Sequence, residues 1–212
     1  ISYPSNADWG SYGDGQYGIY DNDSTNADIY GNLYNWAVTV DDRGVCPDGW
    51  HVPSDDEWTI LIDYLGGKGV AGGKMKETGI IHWNSPNTDA TNESGFTGLP
   101  GGWRAGNHGG FDSITGRNTF YWSSTETASG NCSNSHISPY CATGMALNHN
   151  STQISSSDDH LLTHGFSIRC LADEITTGCT DPEACNYDET ANVDDGSCLE
   201  NDCAGTCGGD LE

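Results

Sequence analysis

Nine cysteines carry the plainest chemistry in this 212-residue chain, and their spacing is of two kinds. Cys46, Cys132, Cys141 and Cys170 lie far apart in a glycine- and aromatic-rich body, whereas Cys179, Cys185, Cys198, Cys203 and Cys207 crowd into the last acidic stretch. None belongs to a C-x-x-C-H haem motif or to a His/Cys zinc spacing, so the expected chemistry is disulfide formation in an oxidising compartment. The first four suit staples in a domain with its own core. A Cys46–Cys170 tie would close that body and a Cys132–Cys141 tie would staple a hairpin-like loop, although four cysteines leave other connectivities open. The last five suit the framework of a mini-domain too small to hold itself together, and their odd number leaves one over.

Oxygen donors come next. Asp181, Asp188, Asp194 and Asp195 can offer carboxylates to a calcium ion, with Asn186, Asn192 and nearby carbonyls completing a shell of roughly six to eight oxygens. Gly196 permits the tight turn beside them. The order differs from an EF-hand loop, and the alternative is an acidic spacer held by disulfides without metal. Asp21, Asp23 and Asp28 form a second, sparser calcium candidate. A different mixture sits in the glycine-rich run from Gly101 to Gly110. There Trp103, Arg104, Asn107 and His108 combine an aromatic face with planar hydrogen-bonding groups, as a sugar site requires, while Trp103 is equally suited to plug the core.

Catalytic signatures are missing. No Gly-x-Ser-x-Gly elbow occurs, and Ser123-Ser124 falls in an expected strand. The histidines form no His-Glu-x-x-His pair. His160 and His164 are four apart, but Leu161, Leu162 and Gly165 around them disfavour a helix that would unite them. His51 reads as a packed structural histidine bonded to a loop carbonyl. The chain is therefore expected not to be an enzyme, and a polysaccharide hydrolase with an unrecognised carboxylate pair stands as the remotest alternative.

The elements that must position these groups follow from pattern. Residues 1–16 form an extended, turn-rich segment. Ala27 to Val40 can form a helix with Tyr30, Leu33, Tyr34 and Ala37 on one face, weakened by Gly31. Ser54 caps a clearer helix, closed into a capping box by Glu57. Trp58, Leu61, Ile62 and Leu65 face its core before Gly66-Gly67 ends it. A short helix is expected around Gly72 to Glu77, then long loops pinned by Trp83, Phe96, Trp103 and Phe111. Phe120 to Ser124, Gly144 to Leu147 and Phe166 to Cys170 read as strands. Two helices, antiparallel strands and long loops define an α+β fold.

Charge narrows the partners. The chain carries 31 acidic and 7 basic side chains, a net charge of -24. Nucleic acid and anionic headgroups would be repelled by it. All seven bases precede Cys170, and the 12 acidic residues beyond Arg169 meet no base. Such density in the tail favours bound calcium as relief. No apolar stretch is long enough to span a bilayer or serve as a signal peptide, so a trimmed exported fragment without direct membrane insertion is expected.

Ordered motifs then suggest a family. They include Tyr30-Gly-Asn-Leu-Tyr-Asn-Trp36, Cys46-Pro-Asp-Gly-Trp-His-Val-Pro-Ser-Asp-Asp-Glu-Trp58, Ala71-Gly-Gly-Lys-Met-Lys76, Leu99-Pro-Gly-Gly102, Tyr121-Trp-Ser-Ser-Thr-Glu126 and Gly165-Phe-Ser-Ile-Arg-Cys170. Together they resemble the Fibrobacter succinogenes major paralogous domain of exported bacterial surface proteins, over residues 17–173. That resemblance implies a C-type lectin-like fold and a binding or adhesive role, with no activity to carry over. The sugar motifs of calcium-dependent lectins, Glu-Pro-Asn or Gln-Pro-Asp with Trp-Asn-Asp, are absent. Asn131 to Tyr140, which holds Cys132 and abuts Cys141, looks like an insertion and is a candidate ligand loop. Residues 178–212 resemble a truncated cysteine-bearing repeat of marine bacterial surface proteins, in style a calcium-stabilised stalk. The expected function is a non-catalytic module at the bacterial surface, binding glycan or a surface protein. The alternative is a purely structural subunit that packs against neighbouring copies.

Overall fold

The computed structural model describes residues 2–3, 8–10, 14–106, 109–112, 115–127, 140–201 and 205–208. The chain separates into two compact units, a body of Ile1–Pro47 with His51–Leu171 and a tail of Asp48–Trp50 with Ala172–Glu212. Elements follow in the order β1 (Tyr17–Gly18), α1 (Ser24–Tyr30), β2 (Leu33–Tyr34), β3 (Trp50–His51), α2 (Asp55–Tyr64), α3 (Ala71–Met75), β4 (Trp103–Arg104) and β5 (Phe111–Asp112). Then come β6 (Asn118–Glu126), β7 (Cys141–Asn148), β8 (Ser155–Leu161), β9 (Leu171–Ala172), β10 (Thr177–Gly178) and β11 (Val193–Asp194). The architecture is mixed α and β, with few helices and several small sheets.

The body is organised by the antiparallel sheet β6–β7–β8, with Tyr121 opposite Met145 and Trp122 opposite Gly144. Because side chains alternate across a strand, Tyr121 and Trp122 serve different cores. Tyr121, Met145 and Leu147 pack with Trp58, Ile62, Leu65, Met75, Trp83 and Ile154. Trp122 and Ala142 pack on the other face with Trp36 and Phe166, joined by Trp103, Phe120, Leu162 and Ile168. Gly144 is required by this second packing, because a Cβ there would lie 2.9 Å from His160 Cδ2. Fully burying each such large apolar side chain contributes about 1.5–3 kcal/mol.

Indole N–H groups pin the intervening loops. Trp9 donates to Thr163 O at 2.9 Å, Trp36 to Ser123 O at 2.9 Å, Trp83 to Gly98 O at 2.9 Å and Trp122 to Tyr34 O at 2.7 Å. Each thus buries its ring without stranding a donor. Lys76 does the same with charge. It is fully buried, and its Nζ donates to the carbonyls of Thr88, Asn148 and Ser151 at 3.0, 3.0 and 2.9 Å.

α2 forms as its sequence dictates. Ser54 Oγ accepts Glu57 N at 3.3 Å while Glu57 Oε2 accepts Ser54 N at 2.7 Å, and the helix ends before Gly66 and Gly67, both at positive φ. The helix expected over Ala27 to Val40 is broken. Gly31, at φ 75°, stops α1, after which β2 and a 3-10 turn over Trp36–Val40 follow. Tertiary pairing wins there, since Tyr34 exchanges backbone bonds with Phe166 at 2.7 and 3.0 Å. The strand expected from Phe166 to Cys170 is instead a two-sided stitch. Ser167 N donates to Phe120 O at 2.9 Å and Ser167 O accepts Trp122 N–H at 3.1 Å, joining this segment to β6 as well as β2. Cys46 and Cys170 form the expected disulfide, which closes the body across 124 residues.

The tail is built differently. Parallel β10 and β11 pair only Thr177 with Val193 and Gly178 with Asp194. Disulfides Cys179–Cys198 and Cys185–Cys207 supply most of the connection, and Cys179 alone of its hydrophobic residues is buried among those described. Cys141 is also disulfide-bonded. Its expected partner Cys132, the rest of the candidate ligand loop up to residue 139, and Cys203 lie outside the described residues.

Candidate ligand pocket

A pocket of about 260 Å³ opens in the body where the end of α1 meets β6 and the stitch segment, with Tyr30, Thr97, Leu99, Tyr121, Ser167 and Arg169 in its wall. Each wall residue is set by a local device. Asp23 starts α1 by accepting Thr25 N at 3.0 Å and Thr25 Oγ1 at 2.8 Å, and Gly31 ends it, which leaves Tyr30 at the rim. The Tyr30 ring meets His82 edge-on at 5.9 Å, and His82 pairs with Glu77 at 2.9 Å. Burial, and then the Glu77 charge, push the Tyr30 phenol above its usual range.

Tyr121 forms the floor. Its ring packs against Phe96 at 5.3 Å and Trp58 at 6.2 Å, and burial pushes its phenol up as well. Ser167 is held by the two backbone bonds to β6. Arg169 is exposed, yet its guanidinium lies 4.3 Å over the Phe96 ring while Nη2 donates to Phe96 O at 3.0 Å. The next residue in the chain is the bridged Cys170, so its backbone is tethered too. Among the described residues, the wall therefore presents one fixed cation, phenols and hydroxyls, and no carboxylate, imidazole or thiol.

The residues expected to bind sugar are placed otherwise. Trp103 is half-buried against His164 at 4.9 Å, Phe120 at 5.8 Å and Phe166 at 6.3 Å, so it plugs the second core. Arg104 is a correction. It is fully buried, its guanidinium 4.1 Å from the Trp9 ring and 5.1 Å from Phe111, with Nε donating to Gly109 O at 2.9 Å. A side chain so enclosed braces the N-terminal segment. Asn107 and His108 lie outside the described residues.

The expected calcium ligands are engaged in local hydrogen bonds. Oδ1 of Asp181, Asp188, Asp194 and Asp195 accepts the backbone N–H two residues on, from Glu183, Thr190, Gly196 and Ser197, at 2.9–3.0 Å. The amides of Asn186 and Asn192 bond backbone on both sides, to Leu199 N and Ser197 O and to Thr176 N and Glu174 O. Asp23 caps α1, and Asp21 and Asp28 are exposed. Among the described residues, no three His, Cys, Asp or Glu side chains come together as a metal group. In this arrangement these oxygens cap turns.

His51 Nε2 meets Glu57 Oε1 at 2.8 Å, so a carboxylate helps to orient its ring. His160 and His164 do approach, with ring centroids 6.3 Å apart, but in an aromatic setting between Trp103, Phe120 and Phe166. Burial and the neighbouring His160 hold His164 down to about 4.

The profile of the Fibrobacter succinogenes major domain matches residues 5–172, and the chain belongs to that bacterial family. No curated protein and no solved structure matches. The match begins before Tyr17, consistent with Trp9 and Gln16 being built into the body. The described disulfides are the mark of a chain that folds outside the reducing cell. No helix among the described residues is long and apolar enough to cross a membrane. Sequence reasoning passed over Tyr30, Tyr121, Ser167 and Arg169 as site residues although all lie in the quoted motifs. The available signal was Arg169, the last base before an uninterrupted acidic stretch and the neighbour of a closing cysteine.

Proposed function

We propose that this chain is a non-catalytic module of the bacterial cell surface, whose body binds glycan through the Tyr30–Arg169 pocket and whose tail is a covalently knit spacer. The pocket's composition carries the reading. Phenol and hydroxyl groups beside aromatic faces suit a sugar ring, whereas hydrolysis of a glycosidic bond needs paired carboxylates that this wall lacks. A C-type lectin-like arrangement is the fold we favour for the body. It is supported by the closing segment at Phe166–Ser167, held between β2 and β6 and locked by Cys46–Cys170. A glycan array tests the function. Binding should be lost in Tyr30→Ala and kept in Trp103→Ala variants that retain the fold. Turnover of any polysaccharide by the purified chain would replace this reading with the hydrolase.

One observation favours a second reading, the structural subunit. α2 turns Ile60 and Tyr64 outward, at 69% and 85% exposure, one helical turn apart. Such residues suit packing against a neighbouring copy. Sedimentation that shows a stable oligomer, abolished by Ile60→Lys with Tyr64→Lys, together with a blank glycan array, would favour it over adhesion.

A further inference from the structure

We infer that the Tyr30–Arg169 pocket selects an acidic sugar, a single uronate unit whose carboxylate is held by the Arg169 guanidinium. The inference rests on the glycan reading above and adds the charge of the ligand to it. Its basis is where the chain spends its few cations. Among seven bases, Arg43 is paired with Asp41, Lys74 with Glu93, Lys68 bonds Ser156 Oγ, Lys76 and Arg104 are buried as internal braces, and the exposed Arg117 lines none of the described pockets. Arg169 is exposed, forms no ion pair among the described residues, and lines a pocket without a carboxylate. The contrast with the other described pockets is direct. One is lined by Asp14 beside Arg43, and another by Asp181, Glu183 and Glu200. In a chain with 31 acidic residues, a carboxylate-free wall around a cation is a specific local field.

The guanidinium is also prepared for such a partner. Stacking on Phe96 and the Nη2 bond to Phe96 O fix its plane, so little side-chain freedom remains to be lost on binding. One of its five N–H donors serves Phe96 O and the guanidinium also hydrogen-bonds the Tyr121 phenol, which still leaves donors for the two-pronged contact that a carboxylate accepts. Around it, Ser167, Thr97 and Tyr30 line the same pocket with hydroxyls, and Tyr121 adds its ring. A volume of about 260 Å³ has room for one sugar ring. This size also answers the objection from net charge. The field of the remaining carboxylates is screened beyond about 8 Å at physiological salt, so one carboxylate is tolerated where a polyanion is not.

The test is calorimetric titration of the full chain with glucuronate and galacturonate against glucose and galactose. The uronates should bind at least about tenfold more tightly than their neutral parents, an effect that weakens with added salt. Arg169→Gln should remove the difference, and Arg169→Lys should keep part of it. Because Arg169 also covers Phe96, a second variant is needed that leaves the core alone. Ile29→Glu, at an exposed position of the same wall, should abolish uronate binding and spare neutral sugar. Equal binding of neutral and acidic sugars overturns the charge assignment while leaving the glycan reading intact, and no binding of either overturns both. Uronate binding that survives Arg169→Gln and Ile29→Glu places the site elsewhere. An N-acetylated dipeptide that competes as well as galacturonate shows that the carboxylate belongs to a peptide and overturns the sugar.

Discussion

Body and tail solve the same problem by opposite means. The body buries five tryptophans and two aromatic-rich clusters, and its Cys46–Cys170 bridge closes a structure that already has a core. The tail exposes Tyr187, Val193 and Leu199 and relies on short loops closed by Cys179–Cys198 and Cys185–Cys207. What this teaches is that disulfides in one chain can be supports in one region and the whole framework in another. The same covalent bond has different consequences when it is cut.

Reduction is the sharpest way to break the comparison. In the body, the bridge spans 124 residues, and opening it should cost about 4–5 kcal/mol by chain entropy. Its stacked cores should nevertheless survive, with slower-exchanging amides in β6 and β7 still protected. The tail bridges close loops of 19 and 22 residues, worth about 3 kcal/mol each, with no core behind them. Hydrogen exchange under reductant should therefore show the tail amides fully exposed while the body retains a cooperative melt. Simultaneous loss of both regions would show that the body too depends on its bridge.

Within the body, the next largest effect belongs to Lys76. Its ammonium joins α3 to the loops at Thr88 and at Asn148–Ser151, and burial lowers it to about 8. Lys76→Met keeps the volume but strands three inward carbonyls, each of which costs about 1–3 kcal/mol when unpaired. A destabilisation of about 3 kcal/mol in urea melts is expected, with the tail's exchange unaffected.

Acid should separate the two units by pH window. His164 titrates well below its usual 6.5 through burial and the neighbouring His160, and burial lowers His160 too. Between about 6.5 and 4 the unfolded chain binds more protons than the folded one, so body stability falls as pH drops through that window, by about 2–3 kcal/mol. The His164 Nδ1, which has no hydrogen-bond partner among the described residues, offers the proton no compensation. In the tail, bonds from Thr190 lower Asp188 and bonds from Ser197 lower Asp195. Stability from those carboxylates is present above about 3.8 and lost only as pH falls below it. Tail protection should thus outlast the first acid loss in the body. His164→Gln should flatten the body's profile.

How far the sequence revealed this depends on whether information was local. α2 was fully legible, because Ser54, Glu57 and the Trp58–Ile62 spacing act within one element. The end of α1 was not, because Leu33 and Tyr34 satisfy helical spacing and are drawn into β2 by Phe166, more than a hundred residues away. β8 was missed because Ser155 to His160 is polar on both faces, and its strand exists only by pairing with β7. The Cys46–Cys170 closure was legible as a pairing, yet the pocket beside it was not. Tyr30, Tyr121 and Arg169 are scattered in sequence, and their convergence is a property of the stitch segment. Conversely, Trp103 and Arg104 have the right side chains for a sugar site, and only burial reveals their structural use.

A smaller local effect checks the legible part. Ser54→Ala removes the hydroxyl that accepts Glu57 N and should cost about 1 kcal/mol, read as an earlier melt of the body alone.

The smallest expected effect bears most directly on the tail. If Asp188, Asp194 and Asp195 act as turn caps, an amide oxygen can replace a carboxylate oxygen as acceptor of Thr190, Gly196 and Ser197 N–H. The triple Asp→Asn variant should then keep the tail's protease resistance nearly unchanged at neutral pH. Wild-type and variant should also respond alike to calcium and to chelator. A calcium ion held by these oxygens makes the opposite demand, since removing three negative charges would weaken it severely. A calcium-dependent rise in tail protection that vanishes in the variant would mean the acidic loops rearrange around metal, and the tail would then owe its order to ion and disulfide together.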